Sequence, residues 1–277
     1  MNETVKRSIS GIVYIILLIG SILYSTESFF LLFGLFLFIA VYEYCTLVNL
    51  NAIFALFLAV ALFSGFAYLI LFKIKFDVAN FDLLLCALTI LVSIRCIYFL
   101  FSLNNNISLL LKYIYLLGYI ILPFIILTKI PFGIKGYNPK IILSIFILIW
   151  TNDTFAYIVG KSIGKHKLFE RISPKKTVEG FIGGLILCII ASYFISKYFI
   201  EGGKITQNIW FVIAAIVAIF GTIGDLIESK FKRIAGVKDS GKIMPGHGGI
   251  LDRLDSVIFV APFVFLFYQI LNYVTLS

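Results

Sequence analysis

Asn51–Phe72 reads NAIFALFLAVALFSGFAYLILF. The stretch carries no charged residue, and it is close to the roughly twenty apolar residues that take an α-helix across a bilayer. It is apolar all round, whereas a transmembrane β-strand would alternate polar and apolar positions. Similar runs recur at Ser8–Thr26, Phe29–Val48, Phe81–Phe101, Leu109–Ile130, Pro139–Val159, Gly180–Ile200, Gln207–Ile227 and Val257–Val274. The fold expected is therefore an all-α polytopic integral membrane protein with about nine transmembrane helices.

Composition agrees. Of the 277 residues, 61% are hydrophobic and 13% charged, and mean hydropathy is +1.06. A soluble domain has about half its residues apolar and about a quarter charged. The four cysteines (Cys45, Cys86, Cys96 and Cys188) all lie in apolar runs without CxxC spacing. They read as small buried hydrophobes rather than a disulfide framework or a zinc site. The start, MNETVKRSIS, has the charge pattern of a signal peptide, but no small-residue cleavage site follows. An uncleaved first helix is the expectation.

The net charge of +9 indicates orientation rather than nucleic-acid binding. With the N-terminus inside, the cytoplasmic side carries fourteen Lys/Arg, including those of two long basic loops, Gly160–Glu179 and Glu228–Ser256. The far side carries six: Lys73, Lys75, Lys129, Lys135, Lys140 and Lys204. The positive-inside rule then predicts N-in, C-out, with both loops in the cytoplasm. Arg95, inside the fourth span, reads as snorkelling or structural. Residues 1–138, about five helices, read as a transmembrane scaffold. Residues 139–277, about four helices, hold nearly all the chemistry.

That chemistry is densest in Gly224–Ser256, GDLIESKFKRIAGVKDSGKIMPGHGGILDRLDS. Charge in an apolar membrane protein is costly, and its concentration points to function. Asp252 and Asp255, spaced i, i+3, would share a helix face, and Asp225 and Glu228 repeat that spacing. Hard oxygen ligands without His/Cys clusters favour Mg²⁺ over zinc. The Pro245–Gly249 turn before the last span would let backbone N–H groups at a helix N-terminus meet phosphate. In Ser173–Gly180, SPKKTVEG, Ser173 is expected to cap a helix with Pro174 in its first turn. Lys175 and Lys176 would then lie near its positive end, where a phosphate is favoured. Asp153, in WTNDTFAYIVG, is an ionisable residue inside an apolar run and thus a further candidate. Lys161, Lys165, His166 and Lys167 read as an orienting flank.

These residues resemble the phosphatidate cytidylyltransferase (CDP-diacylglycerol synthase) family. The matching signature runs from Ser229 through Lys232-Arg233, Lys238-Asp239, Gly241, Pro245, His247-Gly248-Gly249 and Asp252-Arg253 to Asp255. Asp153, Ala156-Tyr157, Gly160 and SPKKTVEG precede it in the family's order, and Met244 replaces the family's usual Leu, Ile or Phe. The resemblance implies that CTP and phosphatidate give CDP-diacylglycerol and pyrophosphate with Mg²⁺, one ion or two, at the cytoplasmic face of the cell membrane. It implies Asp225, Asp252 and Asp255 as metal ligands and, with Lys176, as the catalytic set. Asp153 becomes a further acid of the pocket. Lys175, Lys176 and the His247–Gly249 turn go to the triphosphate, and Lys232, Arg233 and Lys238 to either the lipid phosphate or the leaving pyrophosphate. Ser173 and Arg253 join the substrate-binding set. No general base is needed, since a phosphate monoester is largely ionised at pH 7. A homodimer is a family-level expectation. The alternatives are a CTP-dependent polyprenol or phytol kinase, which would release CDP, and an anion transporter. The latter would spread its charges over several helices near the midplane, often in two similar halves.

Overall fold

The computed structural model describes residues 3–72, 78–133 and 136–276; Lys73, Lys75 and Lys135, counted above for orientation, lie outside them. Among the described residues are nine helices long and apolar enough to cross a membrane. They are α1 (Glu3–Tyr24), α2 (Thr26–Val48), α3 (Ala52–Leu71), α4 (Val78–Phe101), α5 (Leu109–Lys129), α6 (Pro139–Ile163), α7 (Val178–Phe199), α8 (Lys204–Ile234) and α9 (Leu251–Leu276). The chain is a multi-pass membrane protein. Two short antiparallel hairpins complete it: β1 (Phe132–Gly133) with β2 (Gly136–Tyr137), and β3 (Lys167–Phe169) with β4 (Ser173–Thr177).

Polar residues punctuate the apolar helices. Ser25 and Ser28 form a reciprocal capping box that separates α1 from α2. Asn49 ends α2 in the left-handed conformation, and Asn51 caps α3 through Ile53 N–H. Helix α5 contains a π-helical stretch at Leu116–Ile121. There Gly118 packs so closely against Val92 of α4 that a Cβ would overlap its side chain. Arg95 lies with its guanidinium carbon 4.9 Å from the Tyr98 ring centroid, and all four cysteines are free and buried.

Two boundaries differ from expectation, and both move the site. Helix α8 does not stop where its apolar run ends at Ile227 but continues to Ile234, and α9 starts at Leu251 rather than Val257. The polar connection therefore shrinks to 235–250. The extra turns of α8 are held by packing: Phe231 sits among the rings of Tyr44, Phe99, Tyr115 and Tyr119. Lys230 and Arg171 also reach the carbonyls at the end of α4, Lys230 meeting Phe99 and Ser102 and Arg171 meeting Leu100 and Ser102.

The second difference concerns Ser173. It opens β4 rather than capping a helix, and the N-cap of α7 is Thr177, whose hydroxyl accepts from Gly180 N–H at 3.1 Å. Thr177 has the same capping chemistry four residues later, and Pro174 is tolerated in a short edge strand. Lys175 and Lys176 thus follow a strand's period of two and point to opposite sides.

Close helix contacts bring the polar ends together. A Cβ on Gly184 of α7 would lie 2.8 Å from the Asn152 carbonyl of α6. One on Gly224 of α8 would lie 2.6 Å from Phe259 Cβ and 2.9 Å from the Asp255 carbonyl of α9. Glycine at 224 therefore sets the α8–α9 spacing beside Asp225 and Asp255.

Candidate active site

Asp225, Glu228 and Lys232 stand at i, i+3 and i+7 on α8 and share one face. Asp252 and Asp255 lie one turn apart on α9, Asp153 comes from α6 and Lys176 from β4. Carboxylate oxygens of Asp225, Glu228 and Asp255 lie within 4.8 Å of one another. Glu228 and Asp255 are buried, whereas Asp225 keeps 33% of its side-chain exposure, so the group opens on that side. Lys176 meets Asp225 at 2.5 Å. Lys232 meets Glu228 and, at 2.6 Å, Asp252. Burial works against a charge on Lys176, but Asp225, with Asp153 and Asp255 behind it, holds the ammonium above its ordinary pKa. Ser229 donates to Asp225 at 3.2 Å, and Asn152 donates to Asp153 at 3.4 Å.

The group is short of positive charge. Asp153, Asp225, Glu228, Asp252 and Asp255 face Lys176, Lys232 and the nearby Arg253. Both oxygens of Glu228 are buried; Oε1 has no hydrogen-bond partner, and Oε2 meets Lys232, which it shares with Asp252. The Asp255 carboxylate accepts from the neighbouring Ser256 N–H at 2.7 Å. Like carboxylates this close, dry and underpaired fit a hard divalent cation with oxygen ligands.

Asp252 differs from the other acids. Its Oδ2 accepts from Ser240 N–H at 2.8 Å and Gly249 N–H at 2.8 Å, with the Ser240 hydroxyl 3.0 Å away, while Oδ1 faces Lys232. It organises the 239–249 turn and is not in the three-acid group, where Glu228 stands in the place expected for it.

A further carboxylate does the same work, and it was missed in the sequence. Glu43 of α2 is 2% exposed. Its Oε1 accepts from Ile250 N–H at 3.1 Å and its Oε2 from Leu251 N–H at 2.8 Å, with the Ser240 hydroxyl 3.1 Å from Oε2. An anion of the protein thus already occupies the positive end of α9. A Cβ on Gly249 would run into this carboxylate and the Ser240 hydroxyl. Gly248 has φ +88°, and a Cβ there would sit 2.5 Å from Asp252 Oδ2.

The backbone N–H groups of His247, Gly248 and Gly249 are taken up within the protein. His247 and Gly248 N–H donate to the Met244 carbonyl at 2.9 and 3.2 Å, and Gly249 N–H goes to Asp252. The imidazole Nδ1 of His247 is 2.8 Å from the Ser10 hydroxyl. Burial, with Arg253 and Arg7 nearby, lowers the His247 pKa. Arg7 donates to the Gly246 carbonyl at 2.6 Å and Arg253 to that of His247 at 2.8 Å. Arg233 ties the chain together through the carbonyls of Ile172, at 3.3 Å, and Val237, at 3.0 Å.

The structure therefore brings Asp153, Lys176, Asp225, Lys232, Asp252, Arg253 and Asp255 to one end of the helices. Ser173 sits half-buried in β4, and Lys175 and Lys238 are exposed. Lys165, His166 and Glu179 form their own cluster, in which Glu179 accepts from both backbone N–H groups and meets the imidazole at 2.6 Å.

Fold and site together define a multi-pass membrane protein with a cluster of carboxylates, flanked by two lysines, at one end of its helices. The chain belongs to the cytidylyltransferase family, whose model matches residues 5–271. It is 54% identical over 123 residues to the phosphatidate cytidylyltransferase of Staphylococcus haemolyticus (strain JCSC1435), an alignment covering 44% of this chain and 46% of that one. The enzyme of the same name from Staphylococcus aureus (strain COL) is 52% identical over the same lengths and shares. That from Staphylococcus epidermidis (strain ATCC 12228 / FDA PCI 1200) is 51% identical over 125 residues, with coverage of 44% and 46%. The chain thus spans about half the length of the curated relatives it matches.

Proposed function

We propose that this chain is a phosphatidate cytidylyltransferase, joining CTP and phosphatidate into CDP-diacylglycerol and pyrophosphate. The observation that carries the reading is the group of Asp225, Glu228 and Asp255, with oxygens within 4.8 Å and too few cations, beside Lys176 and Lys232. The names of the relatives supply the substrates.

Asp225 and Asp255, with Glu228 between them, would hold Mg²⁺, which when bound neutralises triphosphate charge and orients the α-phosphorus. Lys176 lies at the open side of Asp225, where an arriving triphosphate offers its ammonium a second anion. Asp153 stands behind Lys176 and keeps it charged. Lys232 is fixed between Glu228 and Asp252, so its charge is in place before any substrate arrives. An oxygen of the lipid phosphate attacks the α-phosphorus, the new P–O bond forms, and the bond to the β-phosphate breaks to release pyrophosphate. Positioning and charge neutralisation supply the acceleration, and no side chain need take a proton.

The cytoplasmic placement of the site is part of the same proposal. The cation asymmetry supports it, as does the meeting of the 160–179 and 228–256 segments at Lys176–Asp225 and Arg233–Ile172.

The test is purified protein in vesicles containing phosphatidate and a polyprenol, with Mg²⁺ and CTP labelled at the α-phosphate. Labelled lipid and one pyrophosphate per lipid are expected. Labelled CDP in solution, with a phosphorylated prenol, would identify a kinase instead.

A further inference from the structure

A groove of about 610 Å³ opens between α1 and the 243–250 turn. We infer that it holds one acyl chain of the lipid substrate, a proposal that rests on the activity proposed above.

The groove has direction. Ile9, Val13 and Leu17 line it at i, i+4 and i+8 on one face of α1, so it follows the helix axis for about 12 Å. Met244 and Ile250 of the turn and Phe36 of α2 also line it. Its one hydroxylated lining residue besides Tyr14 is Ser10, at the end where α1 meets the polar turn. That end carries Arg7 and Arg253, both tied to carbonyls of the turn, and His247. An apolar channel with two guanidinium groups at one mouth complements a molecule with one anionic head and a hydrocarbon tail. Its volume lies within the roughly 300–1,000 Å³ of ordinary ligand sites.

The groove is also continuous with the candidate active site. The turn that forms its wall is the one organised by Asp252 and Glu43. Tyr14 lies between the two: its ring is stacked on Phe36, 5.8 Å between centroids, and the charges acting on its hydroxyl are Arg253 and Asp255. That hydroxyl is buried, so Tyr14 borders the groove with its ring.

Val13→Trp and Leu17→Trp fill the groove while replacing one exposed apolar side chain by another. With a long-chain dioleoyl phosphatidate, each should raise KM about ten-fold, the effect of about two methylenes losing burial. KM for CTP, and turnover of a dihexanoyl phosphatidate too short to need the groove, should stay within about two-fold. Equal losses on both lipids would overturn the proposal and point to a contact between copies of the chain. No change on either would leave the groove to bulk lipid and also overturn it. Binding is read separately, with phosphatidate carrying a diazirine at its chain end. Cross-links should fall in residues 9–17 and disappear in the Trp variants, and cross-links confined elsewhere count against the groove. If the parent protein transfers no cytidylyl group to any phosphatidate, the activity proposal fails while the cross-link still reports on this surface.

Discussion

Two sets of carboxylates lie at the same end of this molecule, and they are treated in opposite ways. Glu43 and Asp252 are surrounded by N–H and O–H donors, and the backbone turn between them takes its shape from those bonds. Asp225, Glu228 and Asp255 face one another, with Lys176 and Lys232 at the edges and the buried Oε1 of Glu228 left without a donor. A carboxylate whose lone pairs are filled by backbone amides stabilises the folded chain. One left short of partners in a dry site is held there at a cost in stability, and that cost marks a place for a ligand. The chemical group is the same; its neighbours decide its function.

Asp255→Asn puts that contrast to its severest test. Removing one charge from the underpaired group should lower turnover by at least about 100-fold, the scale of losing a group that stabilises transition-state charge. Thermal stability of the metal-free protein should hold or rise, because like charges are separated less expensively. Asp252→Asn should instead lose stability together with activity, since Lys232 and the turn both depend on it. A pair of variants with the two behaviours exchanged would erase the distinction.

Glu43→Ala comes next. It strands the Ile250 and Leu251 N–H groups in the interior, so unfolding in detergent should become easier by about 3 kcal/mol. Glu43→Gln keeps one acceptor oxygen and should lose about half as much. Activity should fall in step with stability, with no change in the Mg²⁺ concentration needed for half-maximal rate. A Glu43→Ala protein as stable as the parent, with altered Mg²⁺ dependence, would place Glu43 among the ligand-binding acids.

The nine apolar helices were legible from hydropathy because bilayer thickness fixes the length of each run. The polar ends were less so. Hydropathy stops at Ile227, yet α8 continues because Phe231 has an aromatic pocket made by distant segments, which no local pattern reveals. Ser173 and Thr177 are equivalent as caps in sequence, and pairing with 167–169 decides between them. The convergence of Asp225 with Asp255 could be anticipated from their i, i+3 partners. That Glu228 joins the close three-acid group while Asp252 faces the turn could not, because it depends on where Ser240 and Gly249 fall in space. Glu43 did carry a signal: a lone acid in an apolar span is expensive and deserved the suspicion given to Asp153.

The smallest expected effects separate two neighbouring lysines. Strand geometry turns Lys176 toward Asp225 and leaves Lys175 in solvent. Lys176→Ala should raise KM for CTP about ten-fold, the value of one charge-assisted contact, and change KM for phosphatidate much less. Because the neighbouring acids hold the Lys176 pKa up, its contribution should persist unchanged from pH 7 to 9. Lys175→Ala should stay within about two-fold on both substrates, as surface substitutions away from a site usually do. Saturation curves for each substrate on both variants measure the difference. If Lys175 mattered as much as Lys176, the two would be acting as a general basic flank, and the site would extend over the outer face of β4.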